Sequence, residues 1–113
     1  LYADPSELVV NGFERNPYCY LITSYTSKCN FLIRQRSKSE ALFCAENAMN
    51  TAVEMYEWAK SDCEAPLVMS DILFFVQHTP GWCYKWAGTE QSKELLGDSA
   101  FAENAEKISC LSV

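Results

Sequence analysis

Apolar residues return every three or four positions through most of this chain, which is the spacing of a helix face and not the alternation of a strand. Asp4 before Pro5 reads as an N-cap with proline in the first helical position, opening a short helix that Gly12 closes. Asn16 and Pro17 repeat the device. Beyond them Tyr18, Leu21, Ile22, Tyr25, Cys29, Leu32 and Ile33 form one apolar face, although the β-branched and serine-rich stretch 22–27 weakens the helix and leaves a strand across Tyr18–Tyr25 as the alternative. Ser37 with Glu40 makes a capping box ahead of the most regular pattern in the chain, a helix predicted over 39–61. Its buried face reads Ala41, Ala45, Ala48, Ala52, Met55, Tyr56 and Ala59, with Glu46, Asn50, Glu54 and Glu57 turned away. Those alanines let a neighbouring helix approach to the short end of the usual ~8–10 Å between axes.

Pro66 opens the next element, which is apolar nearly all round from Leu67 to Val76 and is therefore expected at the centre of the fold. Thr79, Pro80 and Gly81 should break it. A last helical region is expected over 89–96 and, after Gly97 and an N-cap at Asp98, over 99–110. The expectation is an all-α bundle of four or five helices in a single domain, residues 1–113.

Composition narrows the class. Hydrophobic residues make up 49% of the chain and aromatic residues 13%, enough for a packed core and too much for intrinsic disorder. No apolar stretch approaches the ~20 residues of a membrane span. The net charge of -6 argues against nucleic acid and anionic lipid, both of which call for a basic surface. The charge is also unevenly spread. Residues 1–38 carry five basic side chains against three acidic ones, and residues 39–113 carry four against twelve. Such asymmetry can steer an encounter with a partner.

The six cysteines, Cys19, Cys29, Cys44, Cys63, Cys83 and Cys110, are even in number and widely spaced. Zinc or redox motifs need close pairs or neighbouring histidines, and the one histidine, His78, has no second to complete a set. Neither a cofactor nor a metal is therefore expected. The cysteines read instead as three disulfides, which places the protein outside the cytosol as a secreted domain. The chain begins without a charged start and apolar run, as expected of a chain whose signal peptide has been removed. Cys44 and Cys63 would sit ~28 Å apart on one helix and cannot pair. An antiparallel hairpin turning near Ser37 sets Cys29 opposite Cys44; the other four would staple the ends of the bundle, with Cys19 to Cys110 and Cys63 to Cys83 the preferred of the open pairings.

No catalytic motif is present. There is no G-x-S-x-G elbow, His78 lacks an adjacent aspartate, and Asp62, Glu64 and Asp71 fall where carboxylates suit helix ends. The protein is read as a non-enzyme that binds. Trp82, Tyr84 and Trp86, just after a Pro-Gly pair, are rigid anchors of the kind found in binding hot spots, or a cap on the core. Arg34, Arg36 and Lys38 are the one basic cluster on an acidic molecule. Together they suggest a secreted recognition protein of the signal, pheromone, toxin or effector type, engaging a receptor or channel on a cell surface. The alternative is a carrier of a small apolar ligand, its cavity lined by Met55, Tyr56, Met69, Phe74 and Phe75.

Overall fold

The computed structural model describes residues 17–61, 69–97 and 102–112. They form α1 (Pro17–Arg34), α2 (Lys38–Ser61), α3 (Met69–Trp82), α4 (Thr89–Leu96) and α5 (Ala102–Ser109), with no strand among the described residues. The all-α expectation therefore holds, and the 22–27 stretch is helical. The expected helix over 5–12, the Asn16 cap, Pro66 and the Asp98 cap lie outside the described residues.

The central element is α2, which packs against α1 and α3, while α1 and α3 scarcely meet each other. Its sequence explains why. Ala41, Ala45, Ala48, Ala52 and Ala59 are all fully buried, so two neighbours can seat on a helix whose remaining face carries the glutamates. Met49, Met55 and Tyr56 fill the space the alanines leave. The expectation that the apolar 66–76 segment would be central is corrected here. In α3, Met69, Ile72, Phe75, Val76, Thr79 and Trp82 are buried, but Phe74 is 51% exposed and Gln77 and His78 face solvent. α5 closes the groove between α2 and α3, and α4 rests on α1 and α2.

The α1–α2 turn is tight. The amide of Arg36 donates to the Ile33 carbonyl at 3.0 Å and that of Ser37 to Leu32 at 2.9 Å, the paired bonds of a Schellman cap. That cap needs a left-handed residue, and Arg36 supplies it at φ 60°. The Ser37 carbonyl then accepts the Ala41 amide at 3.0 Å, so α2 begins at once and runs back along α1.

Thr79, Pro80 and Gly81 do not end α3, which continues through Pro80 to Trp82. Pro80 removes one amide donor and its ring crowds the carbonyl four residues back, a cost that α3 carries in its last turn before the chain leaves the helix two residues later. Thr79, fully buried, returns its hydroxyl to the Phe75 carbonyl at 3.0 Å.

The disulfide staples are also corrected. Cys19, Cys29, Cys44, Cys83 and Cys110 are free thiols, and Cys63 lies outside the described residues. Hairpin geometry does bring Cys29 to the start of α2, but its thiol donates to the Ala41 carbonyl at 3.3 Å instead of bonding to Cys44. Cys19 packs its sulfur against that of Met55 at 3.8 Å, whereas Cys110 is exposed beyond α5.

Candidate functional site

After α3 the chain makes a corner, residues 83–88, before α4 begins. Three of the four bonds from a single buried side chain hold it. Asn30 of α1 donates from its amide nitrogen to the carbonyls of Thr26 and Trp82, both at 2.7 Å. Its oxygen accepts the backbone amides of Trp86 at 3.0 Å and Ala87 at 2.9 Å. A carboxamide carries two donors and two acceptor sites, and here every one of them is used. Burying it is then affordable, because no polar atom is left dry.

Nearby, the Arg34 guanidinium donates to the Trp86 carbonyl. Two surfaces that look separate in the sequence, the aromatic 82–86 segment and the basic 34–38 segment, are thereby brought side by side. Arg36 pairs with Glu94 of α4 at 3.3 Å, an exposed contact that contributes little to stability. Lys38 is exposed at the start of α2.

The aromatic residues divide. Trp82 is core, 8% exposed, with its ring edge-on to Phe75 at 4.9 Å. Tyr84 and Trp86 are half-buried, and the Lys85 ammonium lies 5.4 Å from the centre of the Trp86 ring. Phe74, His78 and Trp82 follow one another along α3 at four-residue spacing, with ring centres 4.1 Å and 5.7 Å apart. His78 is fixed by a 2.8 Å contact between Nδ1 and the Phe74 carbonyl. Because a carbonyl only accepts, Nδ1 carries the proton and Nε2 is left for solvent or a ligand.

Between α3 and the start of α4 lies an open groove of about 370 Å³, lined by Gln77, His78, Gly81, Trp82, Tyr84, Lys85 and Thr89. Aromatic rings, a lysine, an imidazole and small hydrogen-bonding groups converge there.

Three thiols from three elements are buried: Cys29 of α1, Cys44 of α2 and Cys83 of the corner. A hydrogen bond to the Cys29 thiol, and then burial, holds the Cys83 thiol well above its ordinary range. Burial likewise pushes the Cys44 thiol up, partly opposed by the Lys28 ammonium. Among the described residues, no three cysteine, histidine or acidic side chains are arranged to hold a metal ion.

The organising residue, Asn30, is the one the sequence reading missed. It had left a trace: Ile22, Thr26, Cys29, Asn30 and Ile33 make up one buried stripe, and a carboxamide in such a stripe must find partners.

Compared with family models, curated proteins and solved structures, the chain matches none.

Proposed function

We propose that this is a recognition protein that engages another protein, a receptor or channel on a cell surface, through the 77–89 corner. The observation that carries the reading is the open groove walled by Trp82 and Tyr84 and edged by His78 and Lys85. Its frame is held by the three bonds of Asn30 to Trp82, Trp86 and Ala87. Rigidity matters because ordering a loop on binding costs affinity, and a preformed corner avoids that cost. Arg34, Arg36 and Lys38 beside it add a basic cluster to an acidic chain, which favours a partner with a negative rim.

The alternative, carriage of a small apolar ligand, draws less support. Met55, Tyr56, Met69 and Phe75 belong to one packed core cluster, and Phe74 is turned to solvent. A secreted location is supported by the content of six cysteines in 113 residues, and not by their geometry, since no described cysteine forms a disulfide.

The test is capture of cell-surface proteins by the immobilised full chain, with Tyr84→Ala plus Lys85→Ala set against the wild type. Loss of a hot-spot aromatic costs ~2 kcal/mol or more, so retention should fall roughly thirtyfold while the unfolding midpoint is unchanged. Phe43→Ser, at an exposed position on α2, should retain the partner. Equal capture by wild type and the double variant would remove the corner from the account.

A further inference from the structure

The two longest stretches of the chain without an acidic residue, 15–39 and 72–89, are the two that meet at the corner. Asn30 and Arg34 of the first bind the Trp82 and Trp86 carbonyls of the second. A molecule of net charge -6, with fifteen acidic side chains, therefore brings none of them to this junction from either stretch. Glu94 of α4, which does approach, is taken up by Arg36 at 3.3 Å. Lys85 stands at the groove and makes no ion pair among the described residues. Its ammonium lies 5.4 Å from the centre of the Trp86 ring, a contact that leaves its N–H groups open to a carboxylate.

The rest of the groove is uncharged and offers two kinds of contact. His78 presents Nε2 as an acceptor, because Nδ1 holds its proton against the Phe74 carbonyl at 2.8 Å. Thr89 adds a hydroxyl, and Trp82 and Tyr84 wall the space with rings. A bare carboxylate would satisfy Lys85 and leave the imidazole acceptor without a donor. A peptide satisfies both, since it carries a backbone N–H beside its side-chain carboxylate. The volume of about 370 Å³ is near the low end of the ~300–1,000 Å³ of pockets that enclose a small ligand, and the groove is open, which fits a short run of chain crossing it.

We propose that the groove binds an extended acidic segment of a partner protein. An aspartate or glutamate carboxylate sits on Lys85 and Thr89, a backbone N–H of the segment donates to His78 Nε2, and an apolar neighbour lies against Trp82 and Tyr84. This occupant rests on the corner being the docking surface, and it specifies what the corner takes. The charge-assisted bond to Lys85 is the stronger of the two polar contacts and sets the preference for acid. The bond to Nε2 is blind to the side chain of the segment, so it adds affinity without preference.

The experiment titrates a pair of blocked peptides, acetyl-Glu-Leu-Glu-amide and its isostere acetyl-Gln-Leu-Gln-amide, into the isotope-labelled full chain. Magnetic-resonance shifts of the Tyr84, Lys85 and Thr89 backbone amides are the readout. The acidic peptide should bind roughly tenfold more tightly than its isostere at low salt, and the preference should shrink as salt rises. Lys85→Gln should erase the preference and Lys85→Arg should keep it. His78→Phe should weaken both peptides by a similar factor and leave the preference intact. Both side chains are exposed, so the unfolding midpoint should not move in any of these variants. Equal binding of the two peptides, no shift at these amides with either, or a preference that survives Lys85→Gln overturns the acidic occupant. If cell-surface capture is nonetheless lost in the Tyr84 and Lys85 double variant, the corner stands as the docking surface and only the acidic segment falls. Capture equal in wild type and double variant removes the corner itself, and the acidic occupant with it.

Discussion

Replacing Asn30 with alanine is expected to destabilise the protein by about 3 kcal/mol or more and to loosen the corner before the rest of the bundle. Removing the carboxamide leaves the amides of Trp86 and Ala87 and the carbonyl of Trp82 without their partner. Each buried polar group stranded in this way costs ~1–3 kcal/mol. Asn30→Asp should give no rescue. Its second oxygen would face the carbonyls of Thr26 and Trp82, replacing two bonds with two repulsions and burying a charge. Urea unfolding followed by circular dichroism gives the stability loss. Tryptophan fluorescence should report an earlier transition than circular dichroism in the variant and a coincident one in the wild type. A loss below ~1 kcal/mol would mean that the clamp is not what holds the corner.

The second large effect is expected at Phe75. This ring is fully buried and meets Trp82 edge-on at 4.9 Å, in the core beneath the corner. Phe75→Ala should cost about 3–5 kcal/mol, through lost transfer energy and the cavity left behind. Phe74→Ala, one residue away, should cost no more than about 1 kcal/mol, because that ring is half in solvent. The contrast between adjacent phenylalanines in one apolar run fixes which face of α3 looks inward. Comparable losses at both positions would place α3 at the centre of the fold, as its composition suggests.

That composition is instructive about what a sequence reveals. The α2 face was legible because the alanines at 41, 45, 48, 52 and 59 sit among glutamates, and only one rotation of the helix buries the first and wets the second. The hairpin that sets Cys29 near the start of α2 was legible from the length of the two patterns on either side of Ser37. α3 was not. The run 72–76 carries no phase of its own, and the phase lay in its polar neighbours, since Ser70, Gln77 and His78 are exposed on the same face as Phe74.

Pro80 misled for a related reason. Its effect depends on its distance from the helix end, and the sequence marked a break without showing that two more helical residues would follow. The cysteines misled because count and spacing constrain pairing only loosely. Hairpin register sets Cα positions, while the direction of each side chain decides whether two sulfurs bond, and Cys29 turns toward the Ala41 carbonyl. Of the candidate site, the aromatic and basic segments were both visible. Their adjacency was not, since it depends on long-range bonds from Asn30 and Arg34 to residues more than fifty positions away.

Hydrogen exchange at the backbone amides of Trp86 and Ala87 tests the clamp most directly. If the Asn30 oxygen accepts both protons as the geometry has it, these two amides will exchange as slowly as those in the middle of α2, although they lie outside any helix. Exchange at the rate of an open loop would contradict the account.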